Sequence, residues 1–145
     1  ERMFIPLLTG KAAQLMGNPD LPHTYTYVPD IGRALVMLGA NDAAFGQAWH
    51  VPSAETLTPR QFVSLIAQEA GVDPKISPLP KWLIPLLGLL MPPLRGFGEL
   101  LYQFEEPFIV DASKFEKTFG TIATPLPEAV RATVQWYRQH QLPPA

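Results

Sequence analysis

The chain has no cysteine among its 145 residues, which excludes disulfide frameworks, thiol nucleophiles and cysteine-ligated zinc. It has no basic excess either. Eleven Lys and Arg stand against 13 Asp and Glu, a net charge of −2, so the cationic surface needed for phosphate-backbone binding is missing and no nucleic-acid partner is expected. Long apolar runs are also lacking. From Trp82 to Leu94 there are 13 residues without a charge, but Pro85, Gly88, Pro92 and Pro93 interrupt them, and a transmembrane helix needs about 20 apolar residues. That segment fits a buried or boundary helix, an apolar lid over a cleft, or a membrane-surface contact. No signal-peptide pattern is present. A cytoplasmic protein without a transmembrane segment is the expectation.

Several catalytic signatures are missing as well. His23, His50 and His140 are far apart, with no spacing that places two ligands on one helix face, so no metal site is expected. No GxSxG elbow surrounds Ser53, Ser64, Ser77 or Ser113. Gly96-Phe97-Gly98 begins a dinucleotide fingerprint, yet the third glycine position is Leu101 and no strand–turn–helix context precedes it. None of Tyr25, Tyr27, Tyr102 or Tyr137 is followed four residues later by Lys, so the cation-activated phenol used for proton transfer is absent. Glu105-Glu106 is an adjacent carboxylate pair that diverges in sequence and reads as a solvated turn.

Proline and aromatic residues are plentiful: 17 Pro, eight Phe, four Tyr and three Trp. The aromatics supply enough apolar surface to drive collapse, and the prolines mark many element boundaries. Ile5, Leu8, Ala12 and Leu15 recur at helical spacing and predict a helix over residues 3–16, stopped by Gly17-Asn18-Pro19. Residues 23–28 alternate in the manner of a strand, with Tyr25 and Tyr27 on one face. Pro29 opens a second helix with Asp30 in its first turn, where its charge meets the positive end of the dipole, and Ile31, Leu35 and Leu38 on one side. Gln47 to Val51 reads as a short strand. Thr58-Pro59-Arg60-Gln61 combines a cap, an N1 proline and a capping-box glutamine ahead of Phe62, Ile66 and Ala70, predicting a helix that ends at Gly71. Residues 75–80 read as extended and Phe108–Val110 as a strand. Asp111 or Ser113 caps a short helix carrying Phe115 and Phe119. A last helix starts near Pro127-Glu128, with Val130, Val134 and Tyr137 on its inner side.

Four segments occur in a telling order: Tyr25-Thr26-Tyr27-Val28-Pro29-Asp30-Ile31; Gly46-Gln47-Ala48-Trp49-His50-Val51; Asp111-Ala112-Ser113-Lys114-Phe115 with Phe119-Gly120; and Pro125-Leu126-Pro127-Glu128-Ala129. This order resembles the C-terminal part of NAD-dependent epimerase/dehydratases, the extended short-chain dehydrogenase/reductases. The resemblance covers nearly the whole chain. It implies an α+β fold, mainly helical with a few short strands, forming a single substrate-binding unit over residues 1–145. The dinucleotide-binding Rossmann domain is then expected upstream of residue 1, in keeping with a chain that opens on Glu1 rather than Met. No cofactor is expected on these residues, and NAD or NADP is implied for a full-length parent.

The same resemblance implies that Ala48–Val51 joins the parent's parallel sheet, and that without it these residues dimerise or swap elements as a homo-oligomer. Nucleotide-sugar members carry diphosphate-binding arginines at two places where gapless matching puts His23 and Leu101. Loss of both forks favours a smaller or more apolar carbonyl or alcohol substrate, although a short gap would let Arg95 restore one contact. Candidate substrate-binding residues are His23, Tyr25, Tyr27, Tyr102 and Phe104. Each also has an ordinary reading, as a loop histidine or as packing aromatics, and capping or surface pairing accounts for Asp111, Lys114 and Glu128. No catalytic residue is expected here. The alternative function is a stand-alone binding or interaction module for an apolar ligand or partner.

Overall fold

The computed structural model describes residues 2–78 and 102–141, with the Tyr102 side chain left aside. Its elements run α1 (Phe4–Leu8), β1 (Ala13–Leu15), β2 (His23–Thr24), α2 (Val28–Gly39), a 3-10 turn at Asp42–Ala44, β3 (Thr56–Leu57), α3 (Pro59–Ala70), β4 (Ile76–Pro78), α4 (Tyr102–Glu105), α5 (Ser113–Phe119) and α6 (Leu126–His140). This is the mainly helical α+β arrangement expected. The Trp82–Leu94 segment, Leu101 and Arg95 lie outside the described residues.

Helix α3 follows its sequence signals closely. The Thr58 hydroxyl accepts from the Gln61 N–H and the Gln61 side chain accepts from the Thr58 N–H, closing a capping box; Gly71 ends the helix at φ 67°, a left-handed conformation that suits glycine. Its inner face presents Phe62, Val63, Ile66 and Ala70 to Leu126, Val130 and Val134 of α6, with Leu7 of α1 and Ala13 and Leu15 of β1 completing the core. Two arginines of α6 bind the two helices at their edges. Arg131 forms a two-pronged ion pair with Glu69 (2.8 and 3.2 Å), and Arg138 donates to the carbonyl of Ala70 (2.7 Å), which lies at the end of α3 where carbonyls lack intrahelical donors.

Four expectations are corrected. The helix over 3–16 ends at Leu8: Gly10 adopts φ 74°, and Ala13–Leu15 instead pairs in parallel with Ile76–Pro78. Its buried–exposed–buried order is the period-2 pattern of a strand. The strand over 23–28 shortens to His23–Thr24, which pairs antiparallel with Leu57–Thr56, because Tyr27 already caps α2. Gln47–Val51 forms no ladder among the described residues. It is held instead by side chains, with Trp49 Nε1 donating to Ala44 O (2.9 Å) and Lys114 Nζ donating to Ala48 O (3.0 Å). Phe108–Val110 likewise contributes a single parallel bridge, Phe108 to His23.

Helix α2 also packs against expectation. Asp30 and Ala34 are buried, whereas Val28, Ile31, Leu35 and Val36 are exposed. The Asp30 carboxylate accepts from the N–H and hydroxyl of Thr124 (both 2.8 Å) and pairs with Arg33, which itself donates to the Thr124 hydroxyl (2.6 Å). With these partners a buried carboxylate is fully satisfied. It ties the start of α2 to the segment ahead of α6.

Candidate functional site

Two cavities meet at Tyr25. The larger, about 300 Å³, is bounded by β1 and the turn after it, β2, Pro59 and α4, and is lined by His23, Tyr25 and Phe104 with Met3, Leu15, Met16 and Gln14; Arg2 stands at its edge. The smaller, about 170 Å³, is lined by Tyr25, Thr26 and Tyr27 with Phe4, Phe62 and residues of α6. Three of the sequence candidates, His23, Tyr25 and Phe104, therefore share one space. Tyr27 belongs to the second. Tyr102 starts α4, and its side chain is outside the described residues.

Local structure fixes each of these groups. His23 is held on both sides of β2, by Leu57 and by Phe108, and its ring stacks on Phe108 with centroids 5.0 Å apart and sits 5.2 Å from that of Tyr25. Burial holds the imidazole below its ordinary 6.5, so it is neutral at pH 7 and can both donate and accept. Tyr25 lies flat on Phe62, 4.0 Å between centroids and 8° from parallel. Burial pushes its phenol up to about 12. A phenol that abstracts or delivers protons near neutrality needs the opposite shift, so Tyr25 can bind a ligand but is no activated base. Phe104 is placed by backbone contact: its carbonyl accepts from Asn18 N–H at 2.9 Å, and Gly17 lies directly beneath it.

The sequence did not reveal Arg2, Met16 or Gln14 as wall residues. The Gly17-Asn18 turn was the available signal, since it marks where the chain folds back over the site. Arg2 Nη1 lies 2.8 Å from Met16 Sδ, and it is the one formally charged side chain among the described lining residues. Among the described residues no group of three His, Cys, Asp or Glu is placed to hold a metal ion, and no helix is long and apolar enough to cross a membrane.

No family model and no curated protein matches the chain. Solved structures do. The chain superposes on UDP-glucuronic acid 4-epimerase from Bacillus cereus in complex with UDP-glucuronic acid and NAD at a TM-score of 0.70 and 16% identity, covering 95% of this chain and 38% of that one. It superposes on a partial consensus L-threonine 3-dehydrogenase at 0.69 and 19% identity, over 94% of this chain and 40% of that one. The fold is that of the C-terminal part of an extended short-chain dehydrogenase/reductase. The UDP-glucose 4-epimerase of Thermus thermophilus in complex with NAD agrees, at 0.63 and 18% identity over 93% of this chain and 38% of that one. The chain thus spans about 40% of the length of the structures it matches.

Among the described residues no glycine turn joins a strand to a helix, and the free side of Gly17 is filled by the backbone of Phe104. Asp111, Lys114 and Trp49 of the recurring segments make contacts within the described structure. Asp111 accepts from Ser113 N–H (2.9 Å) at the start of α5, where Ala112 occupies the cap position. Lys114 sits 4.1 Å over the ring of Trp49, which packs on Phe115 and Phe119.

Proposed function

We propose that the chain is the substrate-binding region of an NAD- or NADP-dependent oxidoreductase of the epimerase/dehydratase family, acting on a carbonyl or alcohol substrate smaller or more apolar than a nucleotide sugar, and catalytically silent alone. The observation that carries this reading is the convergence of His23, Tyr25 and Phe104 on one apolar cavity, in a lobe whose structural neighbours hold NAD. Those neighbours include nucleotide-sugar enzymes and a threonine dehydrogenase, so fold alone does not choose the substrate. The cavity does favour one side. A diphosphate is held by arginine forks, whereas the described wall offers a single arginine, Arg2, beside a His23 stacked on Phe108.

The nicotinamide cofactor would be supplied by a dinucleotide-binding domain outside these residues. The outward apolar face of α2, Val28, Ile31, Leu35 and Val36, supports a covering partner of that kind, or self-association of these residues as a homo-oligomer. The same face favours the second reading, a stand-alone interaction module. Calorimetric titration of the chain with NAD, NADP, UDP and 3-phenylpropanol discriminates. Binding of the aryl alcohol with none of the nucleotides is expected. Tight NAD binding or turnover by the chain alone would overturn the reading, and UDP binding tighter than the alcohol would overturn its substrate half.

A further inference from the structure

The larger cavity has an unusual charge balance. Its walls are aromatic and aliphatic, no carboxylate lines it among the described residues, and its one cationic group is Arg2 at the rim. The described partner of that guanidinium is the thioether of Met16 at 2.8 Å, a weak, uncharged acceptor, and no carboxylate pairs with the cation among the described residues. Three rings share its wall: Tyr25, fixed against Phe62, His23, fixed against Phe108, and Phe104. At about 300 Å³ the space is at the small end of ligand pockets, which run from about 300 to 1,000 Å³.

We propose that this cavity is selective for a small aryl carboxylate, its ring held among His23, Tyr25 and Phe104 and its carboxylate paired with Arg2. The proposal rests on the reading of the cavity as the substrate site and adds the chemical class. A single guanidinium matches one carboxylate, with two parallel N–H···O bonds available. It falls short of a diphosphate, which spreads its charge over two groups. The neutral imidazole adds a hydrogen bond without repelling or attracting the anion.

The test compares 3-phenylpropanoate with its neutral counterpart 3-phenylpropanol on the full 145-residue chain, by calorimetry and by the ring signals of His23 and Tyr25 in NMR. The acid is expected to bind about tenfold or more tightly than the alcohol, the increment typical of a charge-assisted contact. Arg2→Gln, at an exposed position, should bring the acid down to the level at which the same variant binds the alcohol. Equal binding of both in the unaltered chain, or an acid preference that survives Arg2→Gln, would overturn the carboxylate proposal while leaving the cavity as the site. Absence of any binding, with the His23 and Tyr25 signals unmoved by both ligands, would overturn the cavity reading together with the proposal.

Discussion

A Cβ placed on Gly17 would collide with the carbonyl oxygen of Phe104, so the turn after β1 and helix α4 are in backbone contact across the rim of the larger cavity. Gly17 also adopts φ 69°. Gly17→Ala therefore combines a left-handed alanine, costing about 1–2 kcal/mol, with a clash that only movement of α4 relieves. A total loss of about 3 kcal/mol is expected in urea denaturation, with ligand uptake by the cavity impaired. Gly46→Ala is the control: the same φ of 69°, but open space around it, so only the conformational strain remains. Equal losses for the two variants would mean that Phe104 is not anchored by Gly17.

Tyr25 should ionise late. Its phenol is raised to about 12 by burial, against an ordinary value of about 10. In the unfolded chain it ionises earlier, so the folded state holds more protons between those values and stability falls as pH rises through that window. An ultraviolet titration is expected to show a late tyrosine step near about 12, or one seen only on unfolding. Tyr25→Phe should abolish that late step. Its persistence in the variant would assign it elsewhere.

His23 governs the acid side in the opposite sense. Burial lowers its pKa in the folded protein, while the unfolded chain takes up the proton near about 6.5. The unfolded state then binds more protons just below that value, and stability declines as pH drops from about 7, levelling once the folded imidazole titrates too. Asp20 and Asp111, both depressed below 3.8, act only at lower pH. Comparison of urea midpoints at about pH 7.5 and 5.5 should show the decline, and His23→Asn should reduce it. An unchanged slope in the variant would place the titrating group elsewhere.

The exposed face of α2 predicts association. Val28, Ile31 and Leu35 follow at spacings of three and four and stand 73%, 36% and 63% exposed, a stripe that a surface helix ordinarily turns inward. Sedimentation of the chain at high concentration is expected to show self-association, and Leu35→Glu should shift it to monomer with little change in unfolding midpoint. A chain that stays monomeric throughout would remove the case for a homo-oligomer.

Helix α3 was legible because its signals are local: Thr58, Pro59, Gln61 and Gly71 act on backbone groups within a turn of themselves. Of the candidates His23, Tyr25, Tyr27, Tyr102 and Phe104, three share one cavity, His23, Tyr25 and Phe104, while Arg2 and Met16 carried no signal of their own. Residues 13–15 misled because Ala12 and Leu15 satisfy a helical spacing equally well, and nothing nearby announces Ile76–Pro78 as a partner. Helix α2 existed where proline and Asp30 placed it, but its orientation did not follow from its apolar stripe.

Local chemistry in the amino-acid order thus determined where helix α3 begins and ends and where α2 starts. Tertiary structure decided the rest: that Asp30 is inside because Thr124 and Arg33 complete its hydrogen bonds, and that Arg2 stands at the rim of an uncharged cavity. Both depend on groups distant in sequence meeting in space. A pattern of neighbours along the chain carries no record of such encounters.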